Sequence, residues 1–387
     1  MKKVAIIPLR KGSKSIKGKN KKKLLGRPLF SWVLEEAIFS NLDEIYIFTD
    51  DEDIIDFVNK HYQWSTKVKT LKRSDENAND VASTESALLE FSNLINHNFD
   101  ILCLLQATSP LTISKDINAC LNKVIVDGYS SSLSVVRTHR FVWSEDGNPM
   151  NYDVFNRPRR QDFNGLLIEN GAVYAIKKES FLNSKNRLSP NIGLVEMSED
   201  TLTEIDTEND WIVVEQLIKN RLQHQRTAKQ IKYLVLDVDG VFTNGRVTFS
   251  KDVELSKEFD MRDGMGLEIL REHGVQLLVM TSEDSELVKQ RMKKLKIAAG
   301  YYGIKDKYAL LKSIALNKSI DFNHIAYIGD DINDMAPMCA VGWSFTPNNA
   351  MTKIKAIADI TLNKESGNGA IREASEFIIN YNKRYEC

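Results

Sequence analysis

Short apolar runs alternate with helix-periodic stretches along the whole chain, and the alternation starts twice. Residues 4–7, 45–48, 101–105 and 133–136 form the first set; residues 233–236, 275–280 and 325–328 form the second. Segments such as 29–39, with apolar residues at helical spacing, lie between them. Runs this short, separated by helices, predict α/β folding on a parallel sheet with helices on both faces. Ligands of such sheets gather at the carboxyl ends of the strands. The loops after Ile7, Phe48 and Leu105, and those after Leu236, Met280 and Ile328, are therefore where chemistry is expected.

Two starts predict two domains, and 387 residues are enough for both. Residues 210–222 read as an amphipathic helix closing the first, and the polar stretch 219–230 as a linker or an extended helix end. The expected boundary lies near Arg226, giving domains 1–226 and 227–387. Hydrophobic residues at 42% supply material for two cores. With 52 basic and 53 acidic residues the net charge is -1, so no global field draws nucleic acid or an anionic membrane, and anion binding must be local. The apolar start 4–9 contains Pro8 and stops at Arg10-Lys11, too short for an export signal or a membrane span. Cys103, Cys120, Cys339 and Cys387 form no CxxC pair, which predicts reduced thiols and a cytoplasmic protein.

The loop after the first run is crowded with cations: Arg10, Lys11, Lys14, Lys17, Lys19, Lys21, Lys22 and Lys23, with Gly12, Ser13 and Gly18 between them. Such a loop can wrap a polyphosphate with backbone N–H groups and ammonium ions. The same charges also suit a solvated basic loop or a nucleic-acid patch. The spacing is not that of a Walker A motif.

The second set opens on Tyr233-Leu234-Val235-Leu236-Asp237-Val238-Asp239-Gly240. An apolar strand delivers two carboxylates, one residue apart, onto the following loop, and Gly240 allows a sharp turn beyond them. Paired acids repel unless a cation is present, so the pattern points to a metal-assisted site.

In the first half, Ile7-Pro8-Leu9-Arg10-Lys11-Gly12-Ser13-Lys14, then Lys19-Asn20, then Leu24-Leu25-Gly26-Arg27-Pro28-Leu29 resembles the signature loop of the CMP-sialic acid synthetases. Four further segments resemble that family in the same order: 74–85 with Asp80 and Ser83-Thr84; Leu105-Gln106-Ala107-Thr108-Ser109-Pro110-Leu111; Arg157-Pro158-Arg159-Arg160-Gln161-Asp162 with Glu169-Asn170-Gly171; and Glu204-Ile205-Asp206-Thr207. The resemblance implies a Rossmann-like nucleotidyltransferase. Its reaction joins CTP and a nine-carbon 2-keto sugar acid into the CMP-sugar and releases pyrophosphate. It implies Arg10, Lys14 and Lys19 on the triphosphate, with Arg10 and Lys19 catalytic. Gly12, Ser13, Asn20, Ser83 and Gln106 are expected on nucleotide or sugar, and Arg160, Gln161 and Asn170 on the sugar acid. Magnesium is expected on Asp206, with Glu204 where the family commonly has an aspartate.

In the second half, Met280-Thr281, Lys307 and Ile328-Gly329-Asp330-Asp331-Ile332-Asn333-Asp334 follow the Asp237 motif in order. Together they are similar to the haloacid dehalogenase superfamily of phosphatases. Thr243-Asn244-Gly245, Met261-Arg262-Asp263-Gly264 and Gly367-Asn368-Gly369 resemble its capless branch acting on 3-deoxy sugar-acid phosphates. The resemblance implies a Rossmann-like domain without a large cap. Asp237 would be the nucleophile and Asp239 the general acid–base, with Thr281 and Lys307 holding the phosphoryl group. Magnesium would sit on Asp237, Asp330, Asp334 and the backbone of Asp239. Lys305 competes with Lys307 for its role.

Together the resemblances imply a bifunctional enzyme that dephosphorylates a sugar acid 9-phosphate and activates the product with CTP. The alternative is a cytidylyltransferase whose second domain is a silent oligomerisation module. A homo-oligomer is expected by analogy, dimeric through the first domain and tetrameric through the second, with no nucleic-acid or membrane partner.

Overall fold

The computed structural model describes residues 1–12, 15–79, 81–250 and 253–385. The chain divides into two compact units, the first Met1–Leu24 with Pro28–Leu217, the second Leu25–Arg27 with Ile218–Cys387.

The first unit is built on seven strands: β1 (Lys3–Leu9), β2 (Glu44–Thr49), β3 (Val68–Lys72), β4 (Ile101–Leu105), β5 (Ser131–Thr138), β6 (Leu166–Lys177) and β7 (Ile192–Met197). Their spatial order is β3-β2-β1-β4-β6-β5-β7. The pairs β3–β2, β2–β1, β1–β4 and β5–β7 are parallel. The long strand β6 runs antiparallel to both its neighbours, so the sheet is mixed where the apolar pattern alone predicts a parallel one. Residues 166–169 of β6 are exposed and Glu169-Asn170-Gly171 interrupts it, so no unbroken apolar run marks this strand in the sequence.

Side chains alternate across a strand. Val4, Ile6, Leu102 and Leu104 join Ala87, Leu88 and Phe91 in one core cluster. Those last three come from α3 (Thr84–Leu94), one of the helices of this unit with α1 (Leu29–Ile38), α2 (Glu52–His61) and α4 (Ser114–Ile125). The intervening Ala5, Ile7, Cys103 and Leu105 are also fully buried, so both faces of the central strands are covered. Trp32 and Trp211 are buried in keeping with a core role. Helix α5 (Glu208–His224) runs into the segment that the sequence marks as polar.

The second unit carries β8 (Tyr233–Leu236), β9 (Gln276–Met280), β10 (Ala299–Tyr301), β11 (Ile325–Ile328), β12 (Trp343–Thr346) and β13 (Ile360–Thr361). They form an all-parallel sheet in the order β10-β9-β8-β11-β12-β13. Leu234, Leu236, Val279, Ala326, Ile328 and Phe345 form one core with residues of α6 (Met261–Glu272), α7 (Glu286–Lys294) and α10 (Ala370–Asn382). Two further helices are α8 (Lys307–Asn317) and α9 (Met335–Ala340). Thr248–Ser250 pairs antiparallel with Val253–Ser256, and no large cap stands among the described residues. No helix among the described residues is long and apolar enough to cross a membrane.

Candidate functional site

In the second unit, β8, β9 and β11 lie side by side and end together. Leu236 pairs with Val279 and with Ile328. The residues just beyond these strands, Asp237, Thr281 and Asp330, are thereby gathered at one sheet edge. The amide of Asp237 donates to Ile328 O at 3.0 Å, which fixes the start of its loop. Thr281 is buried, with its amide on Tyr301 O at 3.0 Å.

Lys307 opens α8, where Asp306 caps the helix through Ala309 N at 3.3 Å. Its ammonium lies 2.7 Å from Asp237 Oδ2 and 2.8 Å from Asp334 Oδ1. Lys307 is buried whereas Lys305 is exposed, which separates the two candidates. Asp334 is fully buried and also accepts from the amides of Asp330 and Asp331, at 3.1 and 3.4 Å.

Asp237, Asp330 and Asp334 each offer an oxygen within 4.8 Å of the others. Burial pushes Asp237 up to about 7, helped by the negative Asp334 and opposed by Lys307. Burial, then Asp334 and Asp237, push Asp330 up to about 8. Burial pulls Lys307 down, but Asp237 and Asp334 outweigh it and hold the ammonium above its usual range. When ionised, these three carboxylates exceed the one ammonium, and a divalent cation would offset that excess. Asp330 Oδ1 is buried with no hydrogen-bond partner, and a Cβ on Gly240 (φ +82°) would overlap Asp330 Oδ2. The residues thus fit an oxygen-ligated metal. The carboxylate of Asp239 lies outside this triad and pairs with Lys257.

In the first unit the ends of β1 and β4 border a pocket of about 450 Å³. Arg10, Gly12, Lys19, Asn20, Gln106 and Asp206 all line it. Lys19 Nζ donates to Ile205 O at 2.9 Å and to Asp206 Oδ1 at 3.2 Å, and Asn20 holds the loop through Arg10 O at 3.1 Å. Glu204 packs over Gly171, where a Cβ would overlap its carboxylate. Burial raises the Glu204 carboxyl, with Asp206 and Glu169 adding to the effect. Among the described residues, Glu204 and Asp206 belong to no group of three potential ligands.

Ser13, Lys14 and Asp80 fall outside the described residues. Ser83 caps α3 by accepting from Ser86 N at 3.0 Å. Asn170 is buried, taking Ser134 Oγ at 2.7 Å and donating to Thr201 Oγ1 at 3.2 Å, so it pins β6 rather than lining the pocket. Arg160 and Gln161 border a separate cavity with Arg137, His139, Phe163 and Asn164.

Three residues in these sites are missing from the sequence reading. Arg73 is 93% buried, lines the first pocket, and its Nε has no hydrogen-bond partner. It directly follows β3, a position at the strand-end edge that was the available signal. Tyr327 and Lys257 hold Asp334 and Asp239 in the second site.

The cytidylyltransferase family model matches residues 4–239. The chain belongs to the cytidylyltransferase family. The haloacid dehalogenase-like hydrolase model matches residues 170–373 of this cytidylyltransferase, which therefore also carries a domain of that class. The cytidylyltransferase is 31% identical to N-acylneuraminate cytidylyltransferase B of Danio rerio, across 98% of this chain and 91% of the fish protein. With N-acylneuraminate cytidylyltransferase of Oncorhynchus mykiss it shares 32% identity, across 98% and 89%. Over 40% of its length it is 32% identical to 3-deoxy-D-manno-octulosonate 8-phosphate phosphatase of Haemophilus influenzae, covering 86% of that protein. The cytidylyltransferase is thus a transferase with a phosphatase domain.

Proposed function

We propose that the first unit transfers CMP from CTP to the anomeric hydroxyl of a nine-carbon sugar acid of the sialic type, releasing pyrophosphate. The full-length relatives named N-acylneuraminate cytidylyltransferase support this substrate class. Arg10, Lys19 and the backbone at Gly12 surround the polyphosphate, with Lys14 and Ser13 on the same loop. Asn20, Gln106 and Ser83 hydrogen-bond nucleotide or sugar, while Arg160 and Gln161 serve the sugar-acid side and Asn170 acts on it only by holding β6 in place. Asp206, with Glu204, would hold magnesium, which would spread the charge developing on the phosphates.

The second unit hydrolyses the sugar acid 9-phosphate in two steps. Asp237 Oδ attacks phosphorus as the ester P–O bond breaks, and Asp239 gives its proton to the leaving oxygen. Asp239 then takes a proton from water as the water oxygen bonds to phosphorus and the aspartyl-phosphate bond breaks. Thr281 and Lys307 hold the phosphoryl oxygens. Asp237, Asp330, Asp334 and the backbone of Asp239 would hold magnesium, which offsets phosphoryl charge when bound. The observation that carries this reading is Lys307, buried between Asp237 and Asp334. A silent module has no use for a buried ammonium set among buried acids.

A second copy of the chain is expected to cover the apolar side chains of Leu166, Ile168, Ile192 and Leu194, all more than a third exposed. The test pairs two assays on the purified chain: pyrophosphate release with CTP, magnesium and a panel of nine-carbon sugar acids, and phosphate release from their 9-phosphates. Asp237→Asn should abolish the second and spare the first. Phosphate release that survives this change would overturn the phosphatase reading.

A further inference from the structure

Asp239 is the group that must carry a proton in both steps of the phosphatase reaction, and its two oxygens stand in different surroundings. Oδ1 takes the ammonium of Lys257 at 2.7 Å and, more distantly, Thr243 Oγ1 at 3.5 Å. Oδ2 is buried and has no hydrogen-bond partner. The Lys257 side chain is only 4% exposed, against 32% for Asp239, so the lysine is the fixed member of the pair. Lys257 follows Val253–Ser256 and comes from a different segment than the loop carrying Asp237 and Asp239.

We propose that Lys257 is a positioning residue for the phosphatase reaction: by engaging Asp239 Oδ1 it turns Oδ2 toward the ester oxygen and makes Oδ2 the atom that carries the proton. The inference rests on the phosphatase reading of this unit. In the first step the Oδ2–H proton moves to the leaving alkoxide as the Asp237–phosphorus bond forms and the ester bond breaks. In the second, Oδ2 takes a proton from the attacking water as the Asp237–phosphorus bond breaks. Lys257 neither gains nor loses a proton in either step. Its contribution is to remove the rotational freedom that would let either oxygen face the substrate. Positioned general acid–base groups supply about 10²- to 10⁴-fold in rate, and part of that depends on such orientation.

The test uses the full chain with two probes, 3-deoxy-D-manno-octulosonate 8-phosphate, an alkyl ester, and p-nitrophenyl phosphate. Nitrophenolate leaves without needing a proton. Lys257→Met should lower kcat on the alkyl ester by about 10²-fold while changing KM little. On p-nitrophenyl phosphate the same variant should release a burst of nitrophenolate equal to the enzyme, followed by slow turnover, because only the second step still needs Asp239. Lys257→Arg, which can still donate to Oδ1, should recover part of the alkyl-ester rate. Magnesium affinity should match wild type in both variants. Lys257→Gln, read the same way, replaces the Met variant if circular dichroism shows the latter unfolded. An unchanged kcat, equal losses on both probes without a burst, a rise in KM alone or a loss of magnesium binding would each overturn the role of Lys257 while leaving the phosphatase reading intact. Wild-type chain inert toward both probes would overturn the phosphatase reading and this inference with it.

Discussion

Tyr327 Oη donates to Asp334 Oδ1 at 2.7 Å, the same oxygen that receives Lys307 Nζ at 2.8 Å. Both side chains are completely buried or nearly so, at 0% and 1% exposure. A carboxylate with no access to water depends on every donor it has. Tyr327→Phe should therefore lower unfolding free energy by about 1–3 kcal/mol, read from urea titration. It should also reduce phosphate release, though less than Asp237→Asn does. An unchanged midpoint would mean that the hydroxyl is dispensable to Asp334.

Gly240→Ala is expected to leave the fold recognisable and abolish phosphate release. The position has φ +82°, and a Cβ there would collide with the carboxylate of Asp330. Backbone strain costs about 1–2 kcal/mol, too little to unfold a domain, but the displaced carboxylate can no longer meet Asp237 and Asp334. Circular dichroism and phosphate release, measured on the same sample, check this.

Arg73→Met should raise KM for CTP by about 10-fold or more, the cost of losing one charge-assisted hydrogen bond. The guanidinium is buried at the pocket wall and its Nε awaits a partner. Steady-state pyrophosphate release with varied CTP gives the answer, and an unaltered KM would assign Arg73 to packing.

Glu44 supplies a pH test of stability. Burial raises its carboxyl, but Lys69, Tyr46 and Lys2 outweigh that and hold it at about 2, below the ordinary 4.5. Lys69 Nζ lies 2.8 Å from Oε1, Lys2 Nζ 3.2 Å from Oε1, and Tyr46 Oη 2.9 Å from Oε2. The stabilisation is complete above pH 4.5 and fades as pH falls from there through 2. Glu44→Gln should cost about 1 kcal/mol at neutral pH after allowing for solvent screening. Urea unfolding down to about pH 3 should show the gap from wild type narrowing. A gap that stays constant would contradict it.

Strands β1, β2, β4, β5, β8, β9 and β11 were legible because each is a short apolar run with its loop following immediately, whereas β3, β6, β7, β10, β12 and β13 were not. Asp237, Thr281 and Asp330 are local to such runs. Lys307 was legible only within the ordered set, and its burial distinguishes it from Lys305. Lys257 was hidden because its partner lies 18 residues away across a segment without periodicity. The partners of Asn170 are 36 and 31 residues distant, so nothing near it in the chain reveals that its amide is already committed. Residues 166–177 do not read as a strand, because Glu169-Asn170-Gly171 breaks their apolar run and residues 166–169 are exposed.

Leu236 is matched with Val279 on one side and Ile328 on the other. Sliding either neighbour by a single residue would point its terminal acid or hydroxyl through the opposite face, since the pleat repeats every two. Asp237, Thr281 and Asp330 are therefore aligned by hydrogen-bonded ladders. On gradual heating, phosphate release should vanish together with amide-exchange protection of residues 233–236, with no warmer interval in which an intact sheet carries a dead centre.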